Sequence, residues 1–77
     1  MTQPPTYAQL AKRAAIVARR VQQAVAAAGL SQRDLAAQTG IPLATLNRRL
    51  NGSPFIITEL MAVADVLGTQ TSTLIGE

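Results

Sequence analysis

The chain has 77 residues, 48% of them hydrophobic but only 3% aromatic, and a formal net charge of +3. That length is expected to hold one domain with one small core and no separate effector or catalytic domain. With no cysteine and no histidine, disulfides, thiolate chemistry, the familiar nucleophile and base pairs and most metal sites are excluded. The expectation is therefore a protein that is not an enzyme and carries no cofactor and no metal.

Residues 1–5, with two prolines, read as a flexible polar leader. Thr6-Tyr7-Ala8-Gln9 then has the spacing of a capping box. A first helix is predicted from there to Ala28, because neither Gly nor Pro intervenes and Leu10, Ala14, Val17, Val21, Ala24, Val25 and Ala28 recur at three- and four-residue steps. At 1.5 Å per residue it would be about 35 Å long. Lys12, Arg13, Arg19, Arg20 and Gln23 gather on its far side, with Ile16 among them.

The stretch Leu30 to Gly52 reads as two short amphipathic helices joined at a glycine. Ser31 can cap the first, Leu35 and Ala36 supply its apolar side, and Gly40 stops it. Pro42 suits the first turn of the second, predicted over about 42–50. At 100° per residue Leu46 and Leu50 share the inner side of that helix. Ala44 and Arg48 face outward, flanked by Thr45 and Asn47, with Arg49 nearer the boundary. A small residue, a hydroxyl, an amide and a guanidinium form a surface suited to base edges in a major groove.

Beyond Gly52, the apolar residues of Ser53-Pro54-Phe55-Ile56-Ile57 are expected to plug the bottom of the core. Thr58 should cap a fourth helix with Leu60, Met61, Ala64 and Leu67 inward and Gly68 as its stop. A last turn over 71–75 should tuck Leu74 into the core. The fold class is thus all-α, a compact bundle of about five helices with a long first helix. One domain spans 6–77, and a helix-turn-helix unit occupies about 31–50.

Charge is polarised along the chain. All seven basic residues lie before Leu50 with Asp34 as the one acid there, a net +6, while Glu59, Asp65 and Glu77 give the remainder −3. A polyanion would orient such a domain. The arginines are split between helices instead of fringing one apolar face, which argues against a membrane surface. There is also no long charge-free apolar run and no signal-peptide arrangement.

The sequence resembles the lambda-repressor/Cro-like helix-turn-helix proteins of bacteria and their phages over roughly residues 21–74. Gly29-Leu30-Ser31-Gln32, Leu35-Ala36 with Gly40, Thr45 through Gly52, and Glu59-Leu60 through Ala64 with Leu67-Gly68 carry the likeness. The resemblance implies that Gln32 binds a phosphate and that Leu43, Ala44, Asn47 and Arg48 face bases. Many members have glutamine or serine at the first two of those places, whereas Leu43 and Ala44 have no side-chain donor, so the weight falls on Asn47 and Arg48.

The expected function is sequence-specific binding of double-stranded DNA by a transcriptional repressor of Cro or phage-immunity type, acting by operator occupancy in a bacterial cytoplasm. Arg48 would read guanine, with Asn47 and Thr45 reading or buttressing neighbouring bases. Gln32, Arg33 and Arg49 would hold phosphates, joined by Arg19 and Arg20 from the first helix. A homodimer that is weak without DNA is expected, and no small-molecule effector. An alternative is a protein-interaction module, such as an antitoxin or phage factor, that uses the long first helix and binds DNA secondarily.

Overall fold

The computed structural model describes residue 4 and residues 6–76. Apart from Pro4, the expected flexible leader 1–5 lies outside the described residues. Five helices follow in order: α1 (Tyr7–Ala27), α2 (Gln32–Thr39), α3 (Leu43–Leu50), α4 (Ile57–Leu67) and α5 (Thr71–Ile75). The protein is an all-α bundle. None of its helices is long and apolar enough to cross a membrane.

α1 and α2 start where a side chain satisfies an amide of the first turn. At α1 the Thr6 hydroxyl accepts from the Gln9 amide at 3.3 Å, and the Thr6 amide donates back to the Gln9 side chain at 2.9 Å. The reciprocal pair recurs at α2. The Asp34 amide donates to Ser31 Oγ at 3.0 Å, and the Ser31 amide to the Asp34 carboxylate at 3.1 Å. The Ser31 amide first, and the Ser31 hydroxyl second, hold the Asp34 carboxyl below its ordinary value.

The core is assembled from one stripe of each helix. Val21, Leu35, Leu46 and Val63 are fully buried, surrounded by Ala18, Val25, Ile41, Leu50, Leu60, Ala64 and Leu74. α2 packs against α3 and α4, α1 against α3 and α5, and α4 against α5. The radius of gyration is 12.7 Å, above the roughly 11.5 Å expected of a globule this size. α1 accounts for the excess, since its opening turns run past the core and leave Tyr7 84% and Leu10 46% exposed.

Five sequence expectations are corrected. α1 ends at Ala27, with Ala28 as its cap. Pro42 is the residue before α3 and its carbonyl accepts the Leu46 amide at 2.9 Å, so the helix proper opens at Leu43. α4 opens at Ile57, ahead of Thr58, because the Glu59 carboxylate accepts the Ile56 amide at 3.0 Å and closes the first turn from within. That leaves Ile56 and Ile57 exposed, and of the loop's large residues only Phe55 packs on the core. Met61 also points outward at 55% exposure. The inward stripe is Leu60, Val63, Ala64 and Leu67, the i, i+3, i+4, i+7 pattern of one helix side, and Met61 lies off it.

Candidate nucleic-acid interface

The unit of α2, turn and α3 is held by interactions local in sequence. Thr39 Oγ1 donates to the Leu35 carbonyl at 2.7 Å and accepts the Ile41 amide at 3.2 Å, which pins the exit of α2. Gly40 turns the chain with φ of +77°, a left-handed conformation that only glycine enters cheaply. Ile41 is then buried, and α3 starts at a set angle to α2.

Leu46 and Leu50 anchor α3 from beneath at 0% and 2% exposure. Leu43, Ala44, Asn47 and Arg48 consequently face solvent, while Thr45 is half-buried at the edge of that face. Gln32 and Arg33, in the first turn of α2, are also exposed and border the same open cleft as those four α3 residues. No carboxylate among the described residues lines it. Ser31, Gln32 and Arg33 bring the N-terminal end of α2 to the cleft.

A chain of amides orders this surface. Asn47 Nδ2 donates to Gln32 Oε1 at 3.1 Å, bridging α3 to the start of α2. Asn51 Nδ2 donates to the Asn47 carbonyl at 2.8 Å and to Asn47 Oδ1 at 3.2 Å. With its oxygen occupied, Gln32 presents its own NH₂ outward as a donor. Asn51 was absent from the residues expected at the site, although its four-residue spacing from Asn47 is the signal that finds it. Gln22 was also missed. Its side-chain NH₂ donates to the Leu50 carbonyl and caps the end of α3 from α1, a contact across 28 residues that has no local signature.

The basic residues divide into distinct groups. Arg33 and Arg48 belong to the cleft. Arg19 lies at the other end of α3, in a recess shared with Gln22, Leu50 and Asn51. Arg20 points elsewhere: a Cβ built on Gly76 would meet its guanidinium carbon at 2.8 Å, which places it at the end of α5. One residue apart on a helix is about 100° around it, so the two arginines serve different faces.

Arg49 also departs from expectation. Its Nε donates to Glu59 Oε1 at 2.8 Å and its Nη2 to Glu59 Oε2 at 3.4 Å, with Nη1 at 3.4 Å from Ser53 Oγ. The two side chains are 20% and 11% exposed. Partial burial pushes the Glu59 carboxyl up, but bonds from Arg49 and the Ile56 amide, with the Arg49 charge, hold it below its ordinary value. The guanidinium expected on a phosphate ties α3 to α4, where α4 sets a carboxylate opposite it.

Residues 20–76 match the model of the Cro/C1-type HTH DNA-binding domain, which begins within α1 and leaves residues 7–19 of that helix ahead of the match. No curated protein and no solved structure matches the chain.

Proposed function

The chain belongs to the Cro/C1-type HTH DNA-binding domain family, and from that premise we propose that it is a sequence-specific repressor of Cro or immunity-repressor type that acts by occupying an operator. α3 enters the major groove, where Arg48 donates to the acceptor edge of guanine and Leu43 and Ala44 meet thymine methyls. Asn47 reads or buttresses a neighbouring base in the orientation that Gln32 and Asn51 impose on it, with Thr45 at the margin. Gln32 and Arg33 hold one phosphate at the start of α2, and Arg19 another beyond the end of α3. Arg49 and Arg20 are left out of this set because Glu59 pairs with the first and the second lies beside the end of α5, away from α3.

The observation that carries the reading is the Asn47 to Gln32 bridge across an exposed cleft lined by two arginines and, among the described residues, no carboxylate. It holds amide and guanidinium donors together on a surface whose natural complement is a phosphate backbone and the base edges beside it. Two copies on half-sites about 34 Å apart would block polymerase in a bacterial cytoplasm, pairing weakly when DNA is absent.

Selection of bound sequences from random duplex DNA at about 0.15 M salt, read with the salt slope of affinity, tests this. A motif with two related halves is expected. Binding without enrichment that vanishes as salt rises would reduce the arginine surface to an electrostatic patch and refute sequence-specific repression. Exposed Tyr7, Leu10 and Ile16 on α1 favour a second role in protein interaction.

A further inference from the structure

We infer that the flank of α1 remote from α3 receives an acidic amphipathic helix of a partner protein, on a surface separate from the one proposed for DNA. The floor of this surface is an apolar groove of about 220 Å³ in which Leu10, Ala14 and Val17 of α1 face Phe55, Leu60 and Ile75. That volume is below the roughly 300 to 1,000 Å³ of small-molecule sites and suits side-chain anchors from another helix. The apolar surface continues past the groove. Tyr7 extends the α1 stripe at its open end, and Ile57 and Met61, both more than half exposed, flank Leu60 on α4.

Charge identifies the occupant. Arg13 borders the groove, and Arg20, two turns further along the same side of α1, lies beside Gly76 next to the groove residue Ile75. Both are exposed, and α1 contains no acidic residue. A helix lying along the groove would set carboxylates seven residues apart, about 10.5 Å, opposite the two guanidiniums. A second copy of the chain does not meet that demand. Of the acids within 6–76, Asp34 is held by Ser31 and Glu59 by Arg49, leaving Asp65 alone.

Position separates this surface from the proposed DNA contact. Ala15, Ala18, Arg19 and Gln22 turn toward the end of α3, whereas Leu10, Arg13, Ala14 and Val17 lie on the other flank of the helix. The groove shares no residue with the cleft of α2 and α3. Those four groove residues also precede position 20, where the family match begins.

The probe is a synthetic peptide of about 18 residues built from Leu, Ala and Glu, with a leucine stripe and glutamates seven apart. It would be titrated into the full chain by fluorescence anisotropy and by amide chemical shifts. Saturable binding is expected, with shifts centred on Leu10, Ala14, Phe55 and Ile75. Leu10→Asp should weaken it about tenfold, and Ala8→Asp, exposed on the opposite side of α1, by less than about twofold. The double variant Arg13→Glu/Arg20→Glu should lose the acidic peptide and gain its lysine counterpart, a reversal that general destabilisation does not produce. Operator binding, measured separately, should be unchanged in Leu10→Asp. No saturation at about 1 mM would overturn the proposal, as would shifts confined to the Arg33 and Arg48 cleft, or self-association of the chain through these same residues without peptide.

Discussion

Replacing Glu59 by glutamine probes the joint between α3 and α4. The native carboxylate accepts two bonds from Arg49 and one from the Ile56 amide, at 11% exposure. Exposed ion pairs are worth about 0.2 to 1 kcal/mol, and breaking fully buried ones costs about 3 to 5. This pair lies between those limits; the glutamine oxygen can still accept from Arg49 Nε and the Ile56 amide, which share Oε1, but the charge is lost and an NH₂ group replaces the oxygen facing Arg49 Nη2, so a loss of about 2 kcal/mol is expected. For a domain of this size that corresponds to roughly 8 to 16 °C in Tm, read by circular dichroism at pH 7. The pH dependence supplies an internal control. Because the folded-state pKa of Glu59 lies below its ordinary 4.5, its contribution is complete above that value and is lost as pH falls through the lowered one. The wild type should therefore lose its advantage over Glu59→Gln in acid, while both keep the slope contributed by Asp34, whose pKa is also lowered. Affinity for DNA, measured well below either Tm, should not rise. A Tm within about 2 °C of wild type at pH 7 would refute the structural role given to the pair, and tighter DNA binding by the variant would show that Arg49, once released, is a phosphate ligand.

Arg48→Ala should cost about 1 to 3 kcal/mol on the selected site and relax preference at one base pair, whereas Arg19→Ala should weaken all sequences alike and lower the salt slope by about one. Competition with specific and random duplexes checks both, and equal losses from the two variants would defeat the assignment. Asn51→Ala frees Asn47 to swing from its bridged position, so operator affinity should fall several-fold with Tm nearly unchanged; preserved affinity would remove the amide chain from the mechanism. Gly40→Ala meets no atom within 4 Å but must hold φ near +77°. It should lose about 1 to 2 kcal/mol by urea unfolding with native spectra retained, and a neutral result would mean the turn relaxes at no cost.

Capping, turning and inward stripes were legible where the relevant partners lie within four residues. The box at Thr6, the cap at Ser31, the stop at Gly40, the burial of Leu46 and Leu50, and the insertion of Leu74 all depend on neighbours along one helix. Reading failed at α4. Its start depends on the Glu59 carboxylate, which accepts the Ile56 amide while Arg49 holds it from another helix, and the stripe of Leu60, Val63 and Ala64 replaced one that included Met61.

Sequence by itself determined the helical fold class, the helix-turn-helix and the outward face of α3, because helical periodicity and glycine stereochemistry act locally and every copy of those patterns faces the same choices. Only tertiary structure decided which charges stay available. Arg48 and Arg49 are adjacent and chemically identical, yet one faces the open cleft and the other is held by a carboxylate ten residues away. Arg19 and Arg20 part in the same way toward α3 and α5. A guanidinium on a long flexible stem is committed by whatever oxygen or surface the fold brings within reach, and that is settled when the helices pack.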